Sequence, residues 1–487
     1  MAPTSLAVVD LGSNSFRLEI GRVEGDQIYR QDTWRETLRF GAGLDANGYI
    51  TPVAIKAALQ CLARFRERLS GLHPSAVRAV GTNTFRVAKN AREFLRKAER
   101  ALGFPIDVIS GHEEARLIYL GVAHSLPPSS APRLVIDIGG GSTEFIIGRG
   151  LEPERLESLK IGCVGITQRF FRDGKVTGAM LDAAETAARV EIEAISHQFG
   201  PEHWRDAYAS SGTAAALAEI LESNGFSGSG ITPAGLERLR RRLILAGHPR
   251  RLNLNALKPE RTPVLAGGLA IMRAAVAELR VERIDPVGGA LRLGVLYDLL
   301  GRTIDEDVRK VTVDRFVERY RIDRAHATRV AKLATALYRR AVPLANREQL
   351  QLLEWAALLH ETGMSVSHIS FHKHGAYILQ HADMPGFSAG EQTRLALLVY
   401  GSRGGLAKVQ TALRDPQIRA QLLSLRLAVL LHHARTTIPL PRLQLKARSR
   451  IRFGVSKRWL KAHPLTAHLL AKERSQWADL GHAWKIA

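Results

Sequence analysis

Cysteine is almost missing from this chain: Cys61 and Cys163 are the only two among 487 residues. Neither has a near partner in sequence, which excludes a disulfide framework and a cysteine-based zinc site and implies a reducing compartment. Long apolar runs are missing as well. No stretch stays apolar for the about 18 residues that a membrane helix needs, so no transmembrane segment is expected. The opening MAPTSLAVVD has no basic leader and ends its apolar run in an aspartate, which predicts a cytoplasmic protein that is still free to touch the inner face of a membrane peripherally.

Acidic residues are the third scarcity. Asp and Glu number 47 against 69 Lys and Arg, for a formal net charge of +22, and none falls between Asp415 and Glu473. That stretch holds Arg442, Lys446, Arg448, Arg450, Arg452, Lys457, Arg458 and Lys461. Such a balance points to a polyanionic partner. Within it RLQLKARSRIRF alternates, so a strand or hairpin there would set most of its basic side chains on one face.

What is present reads as alternating strands and helices up to about residue 300. LAVVDLG is an apolar run closed by glycine, and TPVAIKAALQCLARFRERLSG is a helix capped by Thr51, opened by Pro52 and stopped at Gly71. TPAGLERLRRRLILAG repeats that grammar at Thr232, Pro233 and Gly247. RLVIDIGGGSTEFIIG predicts strand, turn and strand. The alternation argues for an α/β architecture. Beyond Gly301 strand signals fade and helical, Ala- and Leu-rich patterns take over. We expect three domains, residues 1–130, 131–300 and 301–487, with PPSSAP as the linker between two related halves.

Two motifs share one design. DLGSNS at Asp10 and DIGGGS at Asp137 each place an aspartate at a strand end and follow it with glycine and small polar residues. Gly12, and Gly139, Gly140 and Gly141, let bare N–H groups approach an anion, and Ser13, Asn14, Ser15, Ser142 and Thr143 add donors. The aspartates would repel phosphate unless a divalent cation lies between Asp10 and Asp137, and Mg²⁺ is the usual ion beside phosphates. In VISGHEEARLIYLG, Ser110 and Glu113 fit a capping box. Glu114 points about 100° away around the helix and is left free to activate an attacking water. Arg86, in GTNTFRVAKN, could grip a phosphate with its planar fork.

Taken together, VVDLGSNSFRLEIGRV, VGTNTFRVAKN, ISGHEEARLIYLGV, LVIDIGGGSTEFIIG, ASSGTAAALAEI and VGGALRLGVLYDLL resemble, in order and spacing, the exopolyphosphatase and guanosine pentaphosphate phosphatase family. The resemblance covers nearly the whole chain. It implies two ribonuclease-H-like domains of the actin, sugar kinase and heat-shock ATPase type, followed by a mainly helical, degenerate HD-like region. It further implies hydrolysis of the terminal phosphoanhydride of polyphosphate with Mg²⁺, with K⁺ as a second candidate ion. Glu114 would be the catalytic base, Asp137 and Glu144 would join Asp10 near the metal, and Arg86 and the two glycine turns would hold phosphate. The alternative substrate within the family is guanosine pentaphosphate.

The helical region resembles the HD frame at His326 and His360, but Glu361 stands in place of a metal-binding aspartate and Val429 near the place of another, so no second metal centre is expected. His368, His372 and His374 are expected to be satisfied locally. We read this region, with its basic stretch, as a holder of long polyphosphate, with no specific nucleic acid; the resemblance implies a homodimer, which would double the basic surface. An ATP-dependent kinase using Ser211, Gly212 and Thr213 would leave Glu114 and the basic extension without a role, and a non-enzymatic binder of polyphosphate or RNA would keep a steeply salt-dependent affinity when Glu114 is removed and would show no turnover to lose.

Overall fold

Leu6, Ala7, Val8 and Val9 are fully buried, as a strand covered on both faces requires. They form β1 (Ser5–Leu11), the middle of a five-stranded sheet with β2 (Ser15–Glu24), β3 (Gln27–Thr37), β4 (Val77–Gly81) and β5 (Ile106–Val108) in the order β3-β2-β1-β4-β5. β1 pairs antiparallel with β2 and parallel with β4. A second sheet repeats this plan. β6 (Arg133–Ile138), β7 (Thr143–Arg149), β8 (Glu152–Leu159), β9 (Asp206–Ser210) and β10 (Asp285–Pro286) run in the order β10-β9-β6-β7-β8, with β6 antiparallel to β7 and parallel to β9. Asp10 and Asp137 therefore occupy matching positions near the carboxyl ends of the two central strands, where open α/β sheets place their ligands.

The computed structural model describes residues 5–303, 307–435, 439–447, 451–482 and 484–486. The chain divides into two units, Met1–Asp307 and Val308–Ala487, and both sheets lie in the first. A shared layer joins them there. Helices Gly111–Ser125 and Leu291–Thr303 bury Leu117, Val122, Val295 and Leu296 with Leu6 and Val8 of one sheet and Val135 and Ile146 of the other. Their crossing is close because Gly121 and Gly294 have no side chain: a methyl on Gly294 would overlap the Leu117 carbonyl, and one on Gly121 the Ala290 carbonyl.

An ion network fixes the same layer. Asp298, fully buried in the Leu291–Thr303 helix, accepts from Arg78 Nη1 at 2.6 Å, Arg116 Nη2 at 2.5 Å and Arg302 Nε at 2.9 Å. Arg116 also grips Glu113 at 2.7 and 2.8 Å. These guanidinium groups hold the Asp298 carboxyl far below the usual range against the cost of burial.

Local signals were read correctly in most places. Thr51 accepts from Ala54 N–H and Pro52 opens the helix Pro52–Leu69, which stops at Ser70, one residue before the expected glycine. Thr232 accepts from Gly235 N–H, and Gly247 closes Pro233–Ala246 in the left-handed region at φ 64°. Cys61 and Cys163 are buried free thiols. No helix among the described residues is long and apolar enough to cross a membrane.

The second unit is helical. Its core gathers Val330 and Leu337 of helix Arg324–Ala341, Leu353 of Arg347–Leu358, Leu395 of Ala389–Gly401, and Leu423 and Leu427 of Pro416–Leu431. The alternating basic segment forms a hairpin, β11 (Gln444–Ala447) against β12 (Ile451–Gly454). Leu445, Ile451 and Phe453 point inward, while Lys446 and Arg452, paired across the strands, are exposed on the other face. Arg448 and Arg450 lie outside the described residues. The fold is thus two actin-type α/β sheets followed by a helical region.

The helix crossing supplies a test. Gly294→Ala should destabilise the protein by roughly 1–3 kcal/mol, because a backbone carbonyl cannot move aside as a side chain tip can, and a denaturant melt should show it. An unchanged midpoint would mean that the crossing is looser than described.

Candidate active site

The Asp10 and Asp137 turns touch each other. A Cβ on Gly140 would stand 3.2 Å from Ser13 Cβ and 3.4 Å from Asn14 N. One on Gly141 would overlap the Asn83 side-chain amide. The glycines are therefore required by close approach of the two halves, beyond any role toward a ligand. Backbone bonds lock each turn. Gly139 N–H donates to Ser142 O at 2.9 Å, and Cys163 N–H and Val164 N–H donate to Gly139 O and Gly140 O at 3.0 Å. Gly41 N–H and Arg39 N–H donate to Ser13 O and Asn14 O at 2.7 Å. Ser13, itself buried, accepts from Thr84 Oγ1 at 2.8 Å.

Of the expected phosphate-binding residues, Gly12, Asn14 and Gly139 to Gly141 keep partial exposure at the turns, while Ser13, Ser15 and Ser142 are buried beside them. Thr143 does not belong to that group. It is fully buried and its hydroxyl donates to Ile161 O at 2.6 Å, because position 143 already belongs to β7 and faces the packed side.

The acidic residues converge. Glu114 stands in the first turn of the Gly111–Ser125 helix, buried, with Oε2 accepting from Arg86 Nη1 at 2.8 Å. Arg86 Nη1 also donates to Ile109 O at 3.0 Å. The arginine read from sequence as a phosphate clamp is thus already engaged in holding Glu114. Ser110 caps Glu113 N–H at 3.1 Å as expected, but the Glu113 carboxylate that was expected to complete a capping box holds Arg116 by both oxygens. Burial pushes the Glu114 carboxyl up to about 7, with Arg86 opposing and Asp10 and Asp137 adding to the rise. Burial likewise lifts Asp137 to about 6, although the Ser210 hydroxyl donates to it.

Glu144 lies directly across the β6–β7 pair from Asp137 and accepts from Ser158 Oγ at 2.9 Å. Burial and the charges of Glu114 and Asp137 raise it well above the usual range. Asp10 is raised by burial too, with Arg292, 3.6 Å away, and Arg17 opposing. Crowded, buried, oxygen-only donors of this kind suit a hard divalent cation such as Mg²⁺. An ion held by Asp10, Asp137 and Glu144 would keep part of its water shell, as Mg²⁺ commonly does.

Several arginines were missed from sequence. Arg17 pairs across β1–β2 with Asp10 in the way that Glu144 pairs with Asp137 across β6–β7. The signal was available, since both residues follow their aspartates at the same offset. Arg17 is pushed down to about 10 by burial and by the charges of Arg292, Arg35 and Arg261. Arg261 packs its guanidinium against Gly212, where a methyl would overlap it. That turn is strained: Ser211 stands at φ 86°, with its hydroxyl accepting from Thr213 and Ala214 N–H at 3.2 Å.

In the second unit, His372 was expected to be satisfied locally. Its buried Nδ1 has no hydrogen-bond partner, and burial together with Lys408, Lys373, Arg403 and Arg426 lowers the ring to about 4.

The carboxylate cluster makes a stability prediction. Asp10, Glu114, Asp137 and Glu144 all bind protons more tightly folded than unfolded, so their contribution is present at low pH and is lost as pH rises, through about 6 for Asp137 and about 7 for Glu114. Buried histidines such as His372 and His432, lowered to about 4, act in the opposite direction between pH 4 and 6.5, so the informative quantity is a difference. In metal-free buffer Asp137→Asn should gain on the wild type by about 1.4 kcal/mol between pH 5 and pH 8. A difference that is flat with pH would show that Asp137 is not strained by burial.

Comparison with known proteins extends the geometry. Residues 24–303 match the Ppx/GppA phosphatase family, and residues 308–474 match Ppx/GppA phosphatase, domain III. A protein of Vibrio cholerae named guanosine-5'-triphosphate,3'-diphosphate pyrophosphatase is 38% identical over 99% of this chain and 97% of its own. A Vibrio vulnificus protein of the same name is 36% identical over 98% of this chain and 96% of its own. Among solved structures, an exopolyphosphatase from Cytophaga hutchinsonii aligns with a TM-score of 0.55 and 25% identity, over 61% of this chain and 98% of that one. With its paired aspartate turns, buried glutamates and two matching family regions, the chain belongs to the Ppx/GppA phosphatase family, whose members here are hydrolases of phosphoanhydride bonds.

Proposed function

We propose that this chain hydrolyses the terminal phosphoanhydride at the 5′ end of guanosine 5′-triphosphate 3′-diphosphate, releasing orthophosphate. The observation that carries the reaction type is the buried Glu114, fixed by Arg86 and surrounded by Asp10, Asp137 and Glu144 at the mouth of two glycine turns. The substrate choice rests on the full-length relatives of that name. Sequence alone put polyphosphate first. The relatives move the guanosine nucleotide ahead of it, and Arg17, with Arg35, Arg261 and Arg292 near it, offers charge for phosphate groups beyond the one that is cleaved, in either substrate.

In this mechanism the glycine turns place the terminal phosphate between the halves, with N–H groups on its oxygens. Glu114, ionised, takes a proton from a water aligned with the scissile bond; the water oxygen forms a bond to phosphorus as the bond to the bridging oxygen breaks, and the shortened nucleotide leaves with the electron pair. Arg86 keeps Glu114 directed and stays within reach of the departing phosphate charge. Asp137 and Glu144 would hold Mg²⁺, with Asp10 less committed because Arg17 and Arg292 already face it. That ion supplies charge neutralisation for the phosphate oxygens.

Exopolyphosphatase activity is the second reading, favoured by the net charge of +22 and by the likeness to the Cytophaga hutchinsonii enzyme. Phosphate release from guanosine pentaphosphate, GTP, long polyphosphate and ATP at equal phosphate concentration and saturating Mg²⁺ separates the two. The expected order puts guanosine pentaphosphate first, with activity rising as pH passes through about 7, where Glu114 ionises. Glu114→Gln should lose at least about 10²-fold in kcat while still binding nucleotide. Full activity in that variant overturns the mechanism, and faster release from polyphosphate overturns the substrate assignment alone.

A further inference from the structure

Arg39 has no part in the reaction above, and its backbone is out of the ordinary. It stands at φ 50° and ψ 43°, in the left-handed region, which crowds the Cβ of every residue but glycine and is otherwise visited chiefly by Asn and Asp. Arg280 and Arg321 share a positive φ, but each follows the end of a helix, Leu265–Glu278 and Val308–Arg319, where a left-handed residue is the usual way to close the last turn. Arg39 closes no helix. It lies between the end of β3 at Thr37 and a short helical turn, Phe40–Gly43.

The fold explains the conformation but not the side chain. Arg39 N–H donates to Asn14 O and Gly41 N–H to Ser13 O, both at 2.7 Å, and Ala42 N–H donates back to Arg39 O at 2.9 Å. The chain turns sharply at 39 to make these bonds, and glycine or asparagine would make them with less strain. The position carries an arginine instead. Its side chain is exposed, and among the described residues no hydrogen bond or ion pair engages its guanidinium.

The place is the rim where the two aspartate turns meet. The bonds just named tie Arg39 to the DLGSNS turn, and the helical turn that it opens packs against helix Cys163–Phe170, whose first N–H groups hold Gly139 and Gly140 of the DIGGGS turn. Upstream, Arg35 faces Arg17 across β3 and β2, a like-charge pair that destabilises a sheet unless an anion shares it. We propose that Arg39 is a further substrate-binding residue of this site, whose guanidinium takes oxygens of the phosphate next to the one that is cleaved. A planar fork suits two oxygens of one phosphate, and charge-assisted bonds of that kind are the strong ones. The strained turn then serves to bring a long cation to two turns whose N–H groups are taken by the terminal phosphate. This rests on the reading of the chain as a phosphoanhydride hydrolase, and it holds for guanosine pentaphosphate and polyphosphate alike, since both carry a second phosphate.

The test compares wild type, Arg39→Asn, Arg39→Lys and Glu114→Gln in the full chain, by phosphate release from guanosine pentaphosphate with Mg²⁺ and by the denaturant midpoint. Asparagine tolerates the left-handed turn, so Arg39→Asn should fold at least as well as the wild type while its KM rises about tenfold or more, with kcat within about twofold. Binding of guanosine pentaphosphate to Glu114→Gln, followed by calorimetry, should weaken by the same factor when Arg39→Asn is added. Arg39→Lys keeps the charge but not the fork, and should recover part of the lost affinity. An unchanged KM in Arg39→Asn, beside the loss of kcat in Glu114→Gln, overturns the proposal and leaves the hydrolase reading standing. A raised KM together with a lowered midpoint makes Arg39 a support of the Ser13 and Asn14 turn and overturns the proposal too. No phosphate release by the wild type from guanosine pentaphosphate or polyphosphate overturns both.

Discussion

Repulsion among buried carboxylates is the constraint around which the first unit is arranged. Asp10, Glu114, Asp137 and Glu144 each sit where burial disfavours their charge, and Glu114 and Glu144 are further raised by their acidic neighbours. Such a cluster persists only if protons, guanidinium groups or a cation share its charge. Guanidinium groups do part of this, but unevenly. The duplicated fold puts Arg17 opposite Asp10 and Glu144 opposite Asp137, so one half is largely neutralised and the other stays negative. Two sheets of the same plan thus acquire different duties, and the negative half is where a cation and phosphate oxygens would meet.

Glu114 can be held in such a place because its helix is tied by ion pairs and by close packing. Glu114 is next to Glu113, whose carboxylate is gripped by Arg116, and Arg116 is bound in turn to Asp298 with Arg78 and Arg302. Removing one member of a buried network of this kind strands the remaining charges, at a cost of about 3–5 kcal/mol. The glycine crossing of Gly121 and Gly294 sets the depth of the same helix against its neighbour. Packing and ion pairing therefore specify one position for the Glu114 backbone, and Arg86 then specifies its side chain.

Most of this architecture was legible in the sequence, for reasons that are local. Apolar runs ending in Asp-x-Gly mark central strands, and Thr-Pro starts mark helices, because capping and proline geometry act within a few residues. Glu114 was legible because its neighbour Glu113 had a separate part to play. What was not legible depends on pairing across strands or on distant packing. Arg86 looked free until the fold brought Ile109 and Glu114 to it. Thr143 looked like a turn donor until the strand register turned it inward onto Ile161. Arg292 meets Asp10, and Arg261 meets Gly212, only through tertiary structure, and Arg17 would have been found only by laying one motif over the other.

The same physics decides differently in the helical unit. Glu361 is a single buried carboxylate and Arg435 a single guanidinium, so the pair is neutral, satisfied and half open to water. The first unit gathers more carboxylates than arginines able to reach them, so its ligand set is oxygen alone, and a divalent ion with water in its shell would share the excess charge with little competition from guanidinium.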